Sequence, residues 1–379
     1  MSSTQLPPRV ALVRARYDPA GGAERFVQGA IAALRAQGVG LTIVARHWPA
    51  HDGSAILLDP FHVGGLWRDW AFARAACAEL ARRRFDLVQS HERIACCDVY
   101  RAGDGVHAEW LAQRGRVRGT LGRLADAASP RHRYTLGVER ALFRSTRLKA
   151  VICNSEMVRG EIAARFGTPA DKLVLIRNAI DTDAYHPGLR AEMGAAVRQQ
   201  LKIPEAATVV LHVGSGFERK GVAQLLAAAA RAKTRPHLIV AGRDKRLASY
   251  VGRARSLGIA DRTHFVGAVS DVRPYYAAAD IFALATLYDP QPNAALEAMA
   301  CGLPIVTTTK CGVAELLVED RSGHVRDALD VAGLADAIER LEGGVGRRVG
   351  AAARAEAERH PPAAMARQYL DLYRRLLRR

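Results

Sequence analysis

The sequence is short of several things, and each shortage removes a class of protein. No stretch of its 379 residues approaches the ~20 apolar residues of a membrane-spanning helix. Residues 1–10 lack the basic-then-apolar order of a secretory signal, so the expected compartment is the cytoplasm. The six cysteines, at 77, 96, 97, 153, 301 and 311, show no C-x-x-C spacing. They read as reduced, buried thiols and not as disulfides or a zinc site, and the vicinal Cys96–Cys97 pair is poor geometry for a bridge. No metal and no cofactor are expected. Lysine is scarce, seven of 55 basic residues, and no repeat or low-complexity tract stands out.

What is present is a globular composition, 49% hydrophobic and 25% charged, in a chain long enough for two domains. The net charge of +17 raises nucleic-acid binding, but no nucleic-acid module accompanies it and an Arg-rich composition inflates the total. Position is more telling than sum. Between residues 114 and 149 ten cations face two acids, Asp126 and Glu139. That segment reads as a surface for anionic lipid head groups or a phosphorylated acceptor; solvated Arg-rich helix faces would give the same count.

Short apolar strands alternate with segments of helical spacing. Residues 10–13, 41–44, 86–89, 150–153 and 173–176 read as strands of one half, and 208–213, 237–240, 263–266, 281–284 and 305–308 as strands of the other. Strands alternating with helices imply two parallel sheets covered on both faces, an α/β architecture with ligands at the carboxyl ends of the strands. The pattern pauses at 179–187, a linker, which sets domains at 1–182 and 183–360 and a terminal segment at 361–379. In that segment Tyr369, Leu372, Tyr373, Leu376 and Leu377 share one helical face that needs a partner.

The most informative stretch is 289–308. Asn293 is placed to cap a short helix, Gly302 to end it in a left-handed conformation, and Leu296, Met299 and Ala300 fall on one face. Asp289 and Glu297 remain unexplained by packing. A helix start suits a phosphate, and a carboxylate on either side of it can accept from sugar hydroxyls. Taken singly, either acid is explained by the helix dipole. Upstream, the loop 213–221 follows a strand and precedes a helix. It is neither a Walker A loop nor a dinucleotide fingerprint, yet Gly216 with Arg219 and Lys220 sets flexible backbone and two cations where a diphosphate could be held. Gly21 and Gly22 open the first helix, where close backbone approach or a plain turn would each use them.

These strings resemble the family-4 retaining glycosyltransferases. The family's Glu-x7-Glu followed by Ala-Met-Ala-x-Gly-x-Pro is matched by Asp289, Glu297 and residues 298–304, with Asp in place of the first Glu and Gln291–Pro292 in place of the usual Phe-Gly. Residues 216–221, Gly-Phe-Glu-Arg-Lys-Gly, resemble the family's glycine loop with its Arg-Lys-Gly end, through Gly216, Arg219 and Lys220. Residues 98–110 resemble the group that transfers glucose to heptose in the lipopolysaccharide inner core, with Asp104 at its second Asp. The likeness to that group extends over 131–134, Glu139–Arg140, Gly242 with Asp244–Lys245, and 307–312.

The resemblance implies a GT-B architecture: two Rossmann-like doubly wound domains facing a deep cleft, with the C-terminal helix crossing back to the first. It implies a metal-independent retaining transferase using a UDP-hexose or other NDP-sugar, and an anionic glycolipid or oligosaccharide acceptor at the cytoplasmic face of the inner membrane. Arg219 and Lys220 would grip the diphosphate together with Gly21, Gly22, Pro292, Asn293 and Ala294. Glu297 would bind the ribose and Asp289 a sugar hydroxyl, while Arg243, Val266 and Gly267 would lie near the nucleotide. Asp104 would serve the acceptor or the sugar ring, with His107 and His91 in reserve; a turn cap is the plainer role for Asp104. Two rivals are an epimerase of the same architecture and a nucleotide- or anion-binding protein without catalysis.

Overall fold

The computed structural model describes residues 9–15, 38–48 and 55–378. Gly21, Gly22 and the first helical segment of the sequence reading lie outside them. The chain forms two compact units, Met1–Arg177 with Pro362–Arg379, and Asn178–Pro361.

The first unit is built on β1 (Arg9–Val13), β2 (Gly40–Ala45), β3 (Ala55–Leu57), β4 (Leu87–Ser90), β5 (Val99–Arg101), β6 (Ala150–Cys153) and β7 (Leu173–Leu175). They run in the order β3-β2-β1-β4-β5-β6-β7, every pairing parallel. Parallel strands covered on both faces need continuous apolar runs, and β4, β5 and β6 are buried at every position. Its helices are α1 (Gly64–Arg82), α2 (His107–Val117), α3 (Thr120–Ala128), α4 (Pro130–Phe143) and α5 (Glu156–Phe166). The last shows both expected ends: Ser155 Oγ accepts from Val158 N, and Gly167 closes the helix at φ +64°.

The second unit holds β8 (Val209–Val213), β9 (His237–Ala241), β10 (Thr263–Gly267), β11 (Ile281–Ala283), β12 (Ile305–Thr308) and β13 (Gly323–Arg326). Their order is β10-β9-β8-β11-β12-β13, again all parallel. The winding reverses between β8 and β11, the point where such sheets open a crevice at their carboxyl ends. Around them lie α6 (Ala195–Gln200), α7 (Val222–Arg231), α8 (Leu247–Ser256), α9 (Arg273–Ala278), α10 (Asn293–Ala300), α11 (Val331–Arg340) and α12 (Gly343–Ala357). Asn178 and Ile180 belong to this unit, where Ile180 N donates to His360 O at 2.9 Å.

The final helix, α13 (Pro362–Leu377), packs in the first unit. Arg101 Nε donates to Tyr369 Oη at 3.1 Å, and Tyr373 Oη donates to Gln89 Oε1 at 2.8 Å. Leu372 and Leu376 are buried on the same face.

One expectation is corrected. Cys77 and Cys96 are joined by a disulfide, S–S 2.06 Å with Cα atoms 5.8 Å apart. Helix α1 packs Phe72, Ala76 and Leu80 into the same core as Val88, Ile94 and Cys97, which brings the turn between β4 and β5 against it. That proximity is tertiary, so linear spacing does not carry it. Cys97, Cys153, Cys301 and Cys311 are free and buried.

Candidate active site

The loops after β9, β8 and β11 build one rim of the second unit. Beyond β8 the chain enters 214–221, where Gly214 N donates to Ala241 O at 2.9 Å and Gly216 N to Arg243 O at 3.0 Å. Arg243 N returns a bond to Ser215 Oγ at 3.0 Å, and Phe217 N donates to Asp244 Oδ2 at 2.7 Å. The two loops touch so closely that a Cβ on Gly242 would lie 2.2 Å from Gly214 O. Gly221 is more constrained still. It sits at φ +69°, and a Cβ there would come within 1.7 Å of Ala285 O. Arg219 O accepts from Leu287 N at 2.9 Å and Thr286 Oγ1 at 2.8 Å, which stitches the glycine loop to the segment after β11.

These contacts place Lys220 Nζ on Asp289 Oδ2, with both side chains largely covered. Asp289 is fixed through its backbone: its N donates to Lys310 O at 2.9 Å, and Gly312 N donates to its O at 2.8 Å. The sequence reading gave Lys220 to a diphosphate and Asp289 to a sugar hydroxyl; the structure makes them partners of each other as well. Arg219 is half-buried, and among the described residues its side chain has neither ion pair nor hydrogen bond. A guanidinium so placed is available to an anion.

Helix α10 begins four residues after Asp289. Asn293 is its first residue and not its cap; Pro292 takes the cap position and no side chain caps the helix. Asn293 Oδ1 instead accepts from Asn178 Nδ2 at 2.7 Å. Gly302 ends the helix at φ +74°, as its position predicts. The apolar face is wider than the spacing suggested, since every residue from Ala295 to Ala300 is buried, Glu297 included. Glu297 Oε2 accepts from Tyr276 Oη at 2.9 Å. Burial first, then the Glu297 charge, holds that phenol well above its usual pKa, so it stays a donor. Arg243 is exposed on the same rim, Val266 is half-buried in β10, and Gly267 closes that strand at φ +76° with its O accepting from Gly242 N at 2.7 Å. Ala294 is half-buried in the first turn of α10.

In the first unit Asp104 follows β5 in a turn, its side chain 65% exposed and 3.7 Å from Arg93 Nη1. Arg93 is anchored by Glu139 Oε1 at 3.0 Å, and the same oxygen accepts from His107 N at 2.9 Å. His107 opens α2, with Nε2 3.0 Å from His132 Nδ1. Burial, then Arg93 and His132, push its pKa down to about 4. His91 is buried against Gln89 at 3.1 Å and held well below its ordinary pKa by burial, then by Arg101 and Arg14. Sequence reasoning missed Arg93, Tyr276 and Asn178 as parts of these arrangements. Each acts on a residue distant in the chain, so no local motif announces it.

Two family models match the chain, one described as Glycosyl transferases group 1 over residues 207–342 and one as Glycosyltransferase Family 4 over residues 20–184. Among curated relatives, the lipopolysaccharide glucosyltransferase WaaG of Escherichia coli K12 is 26% identical over 323 residues, covering 83% of this chain and 84% of WaaG. The crystal structure of WaaG, involved in lipopolysaccharide biosynthesis, superposes with a TM-score of 0.82 at 23% identity, over 96% of this chain and 99% of that one. Anabaena HepE in complex with UDP-glucose gives a TM-score of 0.73 at 20% identity, over 96% and 98% of the two chains.

Proposed function

We propose, from the premise that the chain belongs to the group 1 glycosyltransferases of GT-B fold, that it moves a hexose from UDP-hexose to a saccharide acceptor with retention of configuration. The single observation that carries the donor reading is the Lys220–Asp289 pair, set on a glycine loop beside an unpaired Arg219 and four residues before α10. Lysine has three N–H donors, so Lys220 can keep Asp289 and still donate to a phosphate oxygen. Arg219 takes the other side of the diphosphate, assisted by the positive dipole end at the start of α10. Glu297, held by Tyr276, accepts from the ribose hydroxyls, and Asp289 accepts from a hydroxyl of the sugar. Arg243, Val266 and Gly267 border the nucleotide.

The reaction then runs at one face of the sugar. The bond from C1 to the phosphate oxygen breaks as the acceptor oxygen bonds C1 on the same side, through an oxocarbenium-like state. The acceptor proton passes to the departing phosphate, whose growing charge Arg219 and Lys220 stabilise. No side-chain nucleophile and no metal are needed for these steps, and most of the acceleration comes from fixed charge and positioning. Asp104, in the first unit, orients the acceptor or offsets positive charge on the ring. WaaG's description as a lipopolysaccharide glucosyltransferase supports glucose as the sugar and a lipopolysaccharide as the acceptor; heptose of the inner core is the acceptor that the sequence resemblance implies. An anionic glycolipid acceptor also suits the basic α2–α4 region and a working place at the cytoplasmic face of the inner membrane.

A thermal-shift screen of nucleotide sugars tests the donor, since a bound ligand stabilises the fold by mass action. A UDP-hexose should raise the midpoint, and transfer of label from it to heptose-terminated core should follow. Lys220→Ala should lower kcat/KM on the order of 10²-fold, and Lys220→Arg should recover only part of it, because the head groups differ in shape. Stabilisation by no nucleotide sugar sinks the donor reading. Conversion of the donor without acceptor would make it an epimerase, and binding without transfer or hydrolysis a non-catalytic binder.

A further inference from the structure

The second unit encloses a cavity of about 480 Å³ at the amino ends of β8, β11 and β12, on the side of the sheet opposite the glycine loop. Thr208, Asp280 and Pro304, the residues just before those three strands, belong to its lining. Its volume lies in the range of a small-molecule site, ~300–1,000 Å³. Nothing in the donor reading uses it.

The lining carries an excess of positive charge. Arg190, Arg198 and Arg347 bring guanidinium groups to it, and Asp280 and Glu205 bring carboxylates. Asp280 is already engaged: Oδ1 accepts from Arg190 Nη2 at 2.7 Å, and Oδ2 from Arg198 Nη2 at 2.7 Å and Val209 N at 2.8 Å. Glu205 is exposed, where solvent screens its charge. Arg198 is engaged too, with Nε on Ala278 O at 2.9 Å and Nη1 on Ala207 O at 3.0 Å and Glu205 O at 3.1 Å. Arg190 is not. Beyond Asp280 it gives one bond, from Nη1 to Ala279 O at 2.8 Å, which leaves Nε–H and one hydrogen on each terminal nitrogen unused. Arg347, near the start of α12, is exposed, and among the described residues its side chain has neither ion pair nor hydrogen bond. Guanidinium groups with N–H pairs to spare match the oxygens of a phosphate.

The backbone at Arg190 is unusual as well. Arg190–Gly194 is a π-helical turn that runs into α6, a rare geometry that gathers at functional sites. It packs tightly on α9, since a Cβ on Gly194 would lie 2.6 Å from Ala277 O. From α9 the connection continues to the donor side. Tyr276 and Cys301 both line the cavity. Tyr276 Oη lies 2.9 Å from Ala294 O and from Glu297 Oε2, and Cys301, directly after α10, donates from N to Glu297 O at 3.0 Å. One wall of the cavity therefore bears on the helix whose other end is assigned to the donor.

We propose that this cavity is a regulatory site for a small organic phosphate held by Arg190 and Arg347, and that its occupant tightens donor binding by steadying Tyr276 and the end of α10. The coupling rests on the donor reading above, whereas the occupation of the cavity does not. Two such sites are linked by a coupling free energy, so each ligand must raise the affinity of the other by the same factor.

Calorimetry on the full chain tests it, with ribose 5-phosphate, glycerol 3-phosphate and inorganic phosphate as probes and glycerol as the uncharged control. An organic phosphate should bind wild type and Lys220→Ala alike, and glycerol should not bind. Arg347→Glu should lose that binding about tenfold or more, the size of losing a charge-assisted bond. Should Arg347→Glu fail to fold, Arg347→Gln decides in its place. Affinity of wild type for UDP-glucose should rise about fivefold or more with the organic phosphate present. In Arg347→Glu it should match wild type without the phosphate and not respond to it. Phosphate binding that is lost in Lys220→Ala and kept in Arg347→Glu would put the anion on the glycine loop and overturn the proposal. Binding of no organic phosphate overturns it too, and so does a UDP-glucose affinity that ignores a bound one. An Arg347-dependent phosphate site in a protein that binds neither UDP nor UDP-glucose would refute the donor reading and the coupling, and would uphold the site.

Discussion

A histidine in the middle of a buried strand must give up its proton when the chain folds. His212 lies in β8, fully buried and two residues before the glycine loop that carries Lys220. Burial first, and then the Lys220 charge, push its pKa down to about 4. In the unfolded chain it titrates near ~6.5. Above that pH both states are neutral and the group contributes no pH dependence. Between the two values the unfolded chain binds the proton and the native chain does not, so stability is lost as the pH falls. The loss is on the order of 3 kcal/mol by the bottom of that window, at about 1.4 kcal/mol per pKa unit. Urea midpoints measured from pH 7.5 down to pH 4.5 should therefore decline, and His212→Val should flatten the decline. Part of the slope should survive in the variant through His91 and His107, whose pKa values are lowered as well. A wild-type midpoint independent of pH over that range would contradict a neutral, buried His212.

At the scale of elements, the sequence was most legible where one residue type meets a strict local demand. Gly302 after α10, Gly221 before α7 and the apolar runs of β1, β6, β8 and β12 are of that kind, and each sits in its expected element. Three strands were not legible: β5 and β13 mix apolar residues with Arg101, His324 and Arg326 and so lack a continuous apolar run, and β3 is a three-residue strand at the sheet edge. The paired acids of the site were legible as a motif, but their partners were not. Lys220 on Asp289 and Tyr276 on Glu297 join residues 69 and 21 positions apart, and only the fold brings them together.

The Cys77–Cys96 disulfide is another long-range contact of this kind, and it ties α1 to the turn between β4 and β5, whose neighbouring Arg93 approaches Asp104. Closing a loop across a sequence separation of 19 should stabilise the first unit by about 3 kcal/mol through the unfolded chain. Reduction, or a Cys77→Ser/Cys96→Ser double variant, should lower its unfolding midpoint by roughly 5–10 °C. Alkylation of the denatured, unreduced protein should modify Cys97, Cys153, Cys301 and Cys311 alone. Six modified thiols would show that the bridge does not form.

For the whole molecule the question is where +17 charges are placed and what they meet. Helix α3 exposes Leu121 and Leu124, 81% and 65% accessible, in a region rich in Arg116, Arg118, Arg123, Arg131 and Arg133. Arg114 and Arg118 are partly neutralised by Asp126, to which they donate at 2.7 Å and 3.0 Å. Exposed leucines beside a cluster of guanidinium groups suit an anionic interface, where each cation near the surface is worth ~1 kcal/mol and apolar side chains leave water. No helix among the described residues is long and apolar enough to cross a membrane. Sedimentation with vesicles of phosphatidylglycerol and phosphatidylcholine should carry the protein down, and vesicles of phosphatidylcholine alone should not. Raising the salt to ~1 M, where charges are screened within about 3 Å, should release it. Leu121→Asp with Leu124→Asp should weaken the anionic-vesicle binding several-fold while leaving affinity for a nucleotide sugar unchanged, because α3 and the glycine loop belong to different units. Equal binding to both kinds of vesicle, or to neither, would remove the membrane from the account and leave the basic helices as solvated faces.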